Sequence, residues 1–468
     1  MRDPLPDHST VAVLGLGAAG RAACRLLSAL GKRVFASDAR TDIDFEPPPG
    51  VELRLGENGL FGATAVVLSP GLNPEWPENA ENPALAPIWA AAREGTVRLV
   101  SEIELAVAAA ALPTLAVGGT DGKSTTVAMA RDLVAAAGAR PVFGGNSWTA
   151  LSDVVLGTPD GTACVTEVSA FQLWGGHRLH PRVALLTNIA ADHLDHYASE
   201  DDYVAAKWHL LEHLAAGDTA VLSAGDVRLT GFRDRLLSRG VTVLGYGAHR
   251  PEGPWSGTAW RDGDLLRVEA PAATLTVPVE AIAVPGAHNL RNALGALLAA
   301  TALGVGALDA GGAEEALRNF RGLPHRLQPV RTLDGVLWLD DSKATNVHAA
   351  VTGLTSLDRP VVAIVGGVDK KLDLAPMFDA LDRAAHHVVV IGEITERFVR
   401  EAGARAWGLE RAATLEEAVD AAQRAARDGD AVVLAPGCSS FDMFAGFEAR
   451  GRAYQTAVNA LSARTRSS

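Results

Sequence analysis

The chain has 468 residues, 48% of them hydrophobic, with 55 acidic against 42 basic side chains and a formal net charge of -13. That length exceeds one ordinary domain and suits two to four, each able to bury its own core. An acidic balance without a long basic run argues against a nucleic-acid or membrane-surface binder, and three scattered cysteines, Cys24, Cys164 and Cys438, suit a reducing cytoplasm without disulfides.

Residues 1–7 lack the apolar core of a secretory signal. Residues 11–14 are expected as a strand that enters a helix through Gly15-Leu16-Gly17-Ala18-Ala19-Gly20, and a second strand at 34–37 ends in Asp38. Read alone, this is a dinucleotide fingerprint with its ribose-binding acid, although the same geometry serves any pyrophosphate or plain helix-on-strand packing. A later strand at 65–68 runs into Ser69-Pro70-Gly71. A first α/β unit is expected over 1–112, with Pro113 at the join.

The strongest local signal follows. An apolar run breaks at Gly118 and Gly119, Thr120 and Asp121 intervene, and Gly122-Lys123-Ser124-Thr125 leads into apolar residues at helical spacing. Strand, tight loop and helix start make a phosphate cradle: glycines let N–H groups turn inward, the helix adds partial positive charge, Lys123 a full one, and Ser124 or Thr125 can hold magnesium. The strict P-loop pattern places glycine where this chain has Val117, so the loop is a shorter variant. A strand at 163–166 puts Glu167 at its end, and one at 183–187 leads to Asn188, Asp192 and His193. Ligands in open α/β sheets sit outside the carboxyl ends of the strands, which directs the loop, Glu167 and His193 toward one magnesium shell. A helix cap for Glu167 and a turn role for His193 are the plainer alternatives.

Ser199 is expected to cap a helix that places Lys207 in an apolar stripe with Tyr203, Leu210, Leu211 and Leu214. Such a lysine snorkels to water, pairs or loses its charge, and a neutral amine can take up carbon dioxide as a carbamate bridging two magnesium ions. Residues 293–308 are uncharged but shorter than the about 18 to 20 residues of a membrane span, so they read as a buried helix and turn. Asn289 and Asn292 share one face of that helix, where amides read a base or cap the end. Gly322-Leu323-Pro324-His325-Arg326 marks a second join, and Arg326 can clamp a phosphate or stay solvated.

The last unit alternates again, with strands expected at 336–339, 361–365, 388–391 and 431–435. Polar groups follow the strands, among them Asp341, Lys343, Thr345, Lys370 and Ser440. Lys370, Thr345 and Ser440 supply a positive charge and two hydroxyls for an acidic small molecule; turn solvation and capping are their competing roles.

In combination these segments, with Ser101-Glu102-Ile103-Glu104-Leu105, Glu167-Val168-Ser169-Ala170-Phe171-Gln172-Leu173 and Ser439-Ser440-Phe441-Asp442, resemble the Mur ligase family of peptidoglycan synthesis over nearly the whole chain. The resemblance is closest to the branch that adds D-glutamate. It implies three α/β domains: a Rossmann-like 1–112 for the UDP end of the substrate, a central P-loop-type ATPase domain over 113–322, and a Rossmann-like 323–468 for the amino acid. Ala18, Ala19, Asp38, Arg40 and Gly71 would hold the UDP end, and Asn146, Ser169 and Gln172 the muramoyl part. ATP would lie on Gly119, Thr120, Asp121, Gly122, Lys123, Ser124 and Thr125, with Asn289, Asn292, Arg326, Asp341 and Lys343 on the nucleotide. Ser124, Glu167, His193 and a carbamylated Lys207 would hold two Mg2+ ions, with Lys123, Lys207 and His193 as catalytic groups. Thr345, Lys370, Ser440, Phe441 and Phe447 would form the D-glutamate pocket.

Two segments depart from the family pattern. Asp121 stands where asparagine is usual, and Ser147-Trp148-Thr149 replaces Ile-Gly-x after Asn146. The implied reaction activates the carboxylate of UDP-N-acetylmuramoyl-L-alanine as an acyl phosphate, which the D-glutamate amine attacks; cations on the phosphoryl oxygens carry most of such catalysis. A cytoplasmic monomer without nucleic-acid or membrane partners is expected. An NAD-dependent dehydrogenase would explain only the first glycine motif and Asp38, and a nucleotide-binding regulator only the Lys123 loop. Within the ligases, another Mur-type or polyglutamylating enzyme is the alternative; the chain lacks the Asp-Asn-Pro-Arg of a diamino-acid ligase.

Overall fold

Apolar runs punctuated by glycine and proline build three sheets in the computed structural model, which describes residues 5, 9–190, 196–197, 199–284, 286–369, 371 and 373–463. Asp192, His193 and Lys370 lie outside the described residues. The first sheet holds β1 (Thr10–Leu14), β2 (Arg33–Asp38), β3 (Val51–Leu55), β4 (Ala65–Leu68) and β5 (Arg98–Ser101), all parallel, in the order β3-β2-β1-β4-β5. The order reverses between β1 and β4, so the loops at 15–20 and 69–71 open where such sheets bind ligands.

The second sheet comprises β6 (Thr114–Gly118), β7 (Pro141–Gly145), β8 (Ala163–Glu167), β9 (Val183–Leu186), β10 (Thr219–Ser223), β11 (Thr242–Gly247), β12 (Gly257–Asp262), β13 (Leu265–Glu269) and β14 (Thr274–Pro278). Its order is β14-β13-β12-β11-β10-β9-β6-β8-β7, with β6 between β9 and β8 and only the β12-β13-β14 edge antiparallel. β6 and β9 are buried along their whole length, because helices cover both faces of a parallel sheet; hence their unbroken apolar sequences. Leu26, Val107, Leu151 and Leu186 belong to one continuous core shared by the first two sheets.

The third sheet contains β15 (Gln328–Leu333), β16 (Val336–Asp340), β17 (Val361–Gly366), β18 (Ala385–Ile391), β19 (Gly408–Arg411) and β20 (Ala431–Leu434), in the order β15-β16-β20-β17-β18-β19. Only β15 runs antiparallel to its neighbour. The chain divides into two compact units, 1–320 and 321–468, each described by itself. Of the uncharged stretch 293–308, expected as a buried helix and turn, residues 293–303 lie in the helix Ala287–Leu303, and the chain turns at Gly304 with φ 67°. Among the described residues no helix is long and apolar enough to cross a membrane.

Candidate active site

The loop after β6 owes its shape to two glycines. Gly119 takes φ 130° and Gly122 φ 78°, and added Cβ atoms there would lie 2.0 Å from Thr187 Oγ1 and 2.4 Å from Asn292 Oδ1. The cradle is therefore closed to side chains at both points. Neighbouring strand ends hold it: the Asp121 N–H donates to Asn188 Oδ1 (2.9 Å), Thr187 Oγ1 donates to the Asp121 carbonyl (2.6 Å), and Lys123 Nζ donates to the Thr120 carbonyl (2.7 Å). The helix Lys123–Ala136 starts at Gly122, so its first N–H groups face the loop. Buried Asn292 accepts from Thr126 Oγ1 (3.3 Å) and donates to Asn289 Oδ1 (3.3 Å), which ties both asparagines to this helix start.

Glu167 ends β8 with 0% exposure. Burial alone would raise its carboxyl pKa. The Lys123 charge and hydrogen bonds from Asn146, Ser124 and Ser147 outweigh that and hold it below the usual value. Asn146 Nδ2 (2.9 Å) and Ser147 Oγ (2.8 Å) donate to Oε1, and Trp148 Nε1 (2.9 Å) donates to Oε2. Lys207 does not snorkel. At 5% exposure its Nζ donates to the Gly119 carbonyl (2.7 Å) and lies 4.6 Å from the centre of the Tyr203 ring, while the Tyr203 hydroxyl meets Thr120 Oγ1 (3.2 Å). The loop thus gathers Lys123, Ser124, Glu167, Lys207, Asn289 and Asn292. Carboxylate, hydroxyl and amide groups without a thiolate suit a hard divalent cation beside a polyphosphate.

In the first sheet the loop after β1 meets the end of β2. Asp38 Oδ2 accepts the Leu16 N–H (2.8 Å), and both oxygens accept from Arg40. The Arg40 guanidinium brings the Asp38 carboxyl down to about 2 against the opposing effect of burial. A Cβ on Gly20 would lie 1.9 Å from the Gly15 carbonyl oxygen, so the last glycine of the motif serves close helix-on-strand packing. Ala18 and Ala19 open the helix Ala18–Ala29, and Gly71 lies in the short turn Pro70–Leu72. Ser169 and Gln172 cap each other's backbone around the turn Ala170–Gln172.

Past Gly71, the chain clasps the central sheet's loops. Asn73 Nδ2 donates to the Phe171 (3.2 Å) and Leu173 (2.9 Å) carbonyls, and Glu75 accepts from the Gly175 N–H (2.7 Å) and pairs with His209 Nε2 (3.2 Å). His177, His209 and Glu212 lie close enough to hold a metal ion. However, the Leu179 N–H donates to His177 Nδ1 (3.0 Å), so Nε2 carries the proton toward the His209 carbonyl (2.9 Å), and neither nitrogen offers a lone pair. The cluster is polar packing.

In the unit 321–468 the candidate residues follow β16, β17 and β20. Buried Asp341 accepts the Leu327 N–H (3.1 Å), and burial raises its carboxyl to about 7. Lys343 Nζ lies 5.1 Å from the centre of the Phe447 ring, and Ser342 Oγ donates to the Phe447 carbonyl (2.9 Å). Thr345 is half-buried, Ser440 is buried and Phe441 is 75% exposed. Arg450, at 1% exposure, pins these loops: it donates to Ser342 Oγ (3.0 Å) and to the carbonyls of Ser342 (2.9 Å), Cys438 (3.1 Å) and Gly366 (3.4 Å).

Sequence reasoning named neither Thr187, Ser147 nor Trp148 as site residues, and missed Arg450 altogether. The rule that polar groups follow strand ends would have found Thr187. Arg450 had no such signal, since an arginine in the helix Phe447–Ala460 reads as solvated.

Residues 117–300 match the Mur ligase middle domain, and residues 325–438 the Mur ligase glutamate ligase domain. A UDP-N-acetylmuramoylalanine–D-glutamate ligase of Geobacter metallireducens is 35% identical over 460 residues, 96% of this chain and 97% of the relative. The enzyme of that name from Rubrobacter xylanophilus is 38% identical over 459 residues, 94% of this chain and 96% of the relative. The crystal structure of UDP-N-acetylmuramate–alanine ligase from Thermotoga maritima has a TM-score of 0.56 at 17% identity, over 97% of this chain and 100% of that one, which speaks to fold alone. With the two domains matched in order and relatives at 35% and 38% identity along nearly its whole length, the chain belongs to the Mur ligase family.

Proposed function

We propose that this chain is an ATP-dependent amide-bond-forming ligase that adds D-glutamate to UDP-N-acetylmuramoyl-L-alanine, a step in building peptidoglycan precursors. The observation that carries this reading is the identity of 35% and 38%, along nearly the full chain, with enzymes named for that reaction. A carboxylate does not condense usefully with an ammonium without activation. The γ-phosphoryl group of ATP therefore passes to the alanyl carboxylate, giving ADP and an acyl phosphate; the D-glutamate amine attacks the acyl carbon, and inorganic phosphate leaves.

The residues divide this work. The N–H groups of 119–125 and the Lys123 charge bind and orient the phosphates, where developing charge on the phosphoryl oxygens is best stabilised. Glu167, ionised beside Lys123, joins Ser124, His193 and Lys207 as the candidate holders of two magnesium ions. Bound there, magnesium would neutralise charge on the phosphates. Lys207 enters this set as a carbamate. Asn289, Asn292, Arg326, Asp341 and Lys343 serve the nucleotide.

The division into 1–112, 113–322 and 323–468 follows the three sheets, for the UDP end, ATP and the amino acid respectively. Ala18, Ala19, Asp38, Arg40 and Gly71 take the UDP end, with Asn146, Ser169 and Gln172 on the muramoyl part. Thr345, Lys370, Ser440, Phe441 and Phe447 take D-glutamate. The enzyme works as a monomer in the cytoplasm. Incubation with radiolabelled D-glutamate, ATP, magnesium and UDP-N-acetylmuramoyl-L-alanine tests the reaction: label should enter a UDP-linked product only when ATP is present. Label that stays in free glutamate would overturn the proposal.

A further inference from the structure

Besides Ser124, three donors on the Glu167 carboxylate come from consecutive residues of one loop, Asn146, Ser147 and Trp148. Asn146 and Ser147 both serve Oε1, which leaves Trp148 Nε1 as the loop's donor to Oε2. The indole is aimed by packing. Its ring meets Phe143 edge-on with centroids 4.6 Å apart, and the Arg131 guanidinium covers Phe143 at 4.8 Å. The loop's backbone is fixed as well: the Gly145 N–H donates to the Thr149 carbonyl (2.9 Å), Trp148 N–H to Gly145 (3.0 Å), and Asn146 N–H to the Glu167 carbonyl (3.0 Å).

From this geometry we infer that Trp148 is a positioning residue for the metal-binding carboxylate, acting through its indole N–H. The inference rests on the reading of Glu167 as a magnesium ligand. A carboxylate oxygen has two lone pairs, so Oε2 can accept the indole and still face a cation. A donor held on one lone pair fixes the rotation of the carboxylate and the direction of the other. Partners behind a metal ligand typically change affinity or activity about 10–100-fold when removed.

Trp148→Phe keeps a ring against Phe143 and deletes the N–H; benzothienylalanine at 148 replaces the N–H by sulfur at nearly constant shape. Mn2+ binding to the enzyme with ADP is read by electron paramagnetic resonance, beside the Mg2+ dependence of turnover and the melting temperature. Glu167→Gln is the reference. The expected result is Mn2+ affinity lowered about tenfold in both Trp148 variants, with kcat recovered at high Mg2+ and little change in melting temperature. Unchanged or tighter Mn2+ binding in the Trp148 variants, with Glu167→Gln weakened, would overturn the inference. No weakening in Glu167→Gln would instead overturn the assignment of Glu167 as a ligand, and the inference with it. A loss in Trp148→Phe that high Mg2+ does not recover would mark the residue as structural and also overturn it.

Discussion

Replacing Arg450 by methionine should destabilise the unit 321–468 far more than its place on a helix suggests. The guanidinium is 1% exposed and makes two well-formed bonds to carbonyls, Ser342 at 2.9 Å and Cys438 at 3.1 Å, besides a longer one to Gly366 at 3.4 Å and one to the Ser342 hydroxyl at 3.0 Å. Hydrogen bonds to a charged group contribute roughly 1.5–3 kcal/mol each when one partner is removed, a figure that already contains the desolvation of the group. The hydroxyl keeps its bond to the Phe447 carbonyl, so the loss falls on the carbonyls. Two good bonds sum to about 3–6 kcal/mol, and breaking a buried charge pair typically costs about 3–5 kcal/mol, so a loss of about 3–5 kcal/mol is expected. At roughly 3 °C per kcal/mol for a unit of this size, the transition should fall by about 10–15 °C.

Differential scanning calorimetry of the full chain reads this, with Arg450→Lys as a second variant that keeps the charge but not the planar fork. Lysine should fall between the two. A drop of under about 1 kcal/mol for methionine would refute the reasoning, because water would then have replaced the arginine on those carbonyls. Gly366 ends β17, and Ser342 and Cys438 lie in the loops that follow β16 and β20, which carry residues of the proposed amino-acid pocket. Arg450→Lys should therefore also raise the KM for D-glutamate.

His177, 1% exposed, is pushed down by burial and by neighbouring His213 to about 4, against an ordinary 6.5. Between pH 6.5 and 4 the unfolded chain takes up a proton that the native state refuses, so stability falls as pH drops through that window, by up to about 3 kcal/mol from this residue. Urea midpoints for His177→Gln should fall less steeply over the same range, and an equally steep fall would contradict the assignment. Gly122→Ala brings a Cβ within 2.4 Å of Asn292 Oδ1 at φ 78°, a strain of about 1–3 kcal/mol, so ADP affinity by calorimetry should drop about 10–100-fold. Asn292→Ala added to it should relieve part of that loss relative to the single Asn292 variant; no relief would show the clash is not the cause. Lys207→Met should abolish a carbamate carbon resonance seen after equilibration with 13C bicarbonate and cut turnover at least about 100-fold. A spectrum shared by both proteins would remove the carbamate.

The phosphate loop was legible because everything that makes it is local: an apolar strand, glycines at Gly118, Gly119 and Gly122, a lysine and a helix start within a dozen residues. Strands buried on both faces, such as β4, β6, β9, β17 and β20, announce themselves as short apolar runs. The hairpin edge of β12, β13 and β14 went unread, since alternating strands carry half as many apolar residues. Its signal was the Asp262-Gly263-Asp264 turn, where Gly263 takes φ 61°. Lys207 was legible as a lysine in an apolar stripe, but not its direction. A side chain that long can reach water or turn inward, and only the Gly119 carbonyl and the Tyr203 ring decide. Trp148 and Arg450 lay beyond local reasoning, because their partners are 19 residues away for Glu167 and as many as 108 for Ser342.

The reaction itself is tested most directly by phosphate release from ATP and magnesium with UDP-N-acetylmuramoyl-L-alanine, comparing D-glutamate, L-glutamate and meso-diaminopimelate. Release that depends on D-glutamate alone is the predicted result. Release with another of these amino acids in its place, or none with any of them while ATP still binds, would contradict the account.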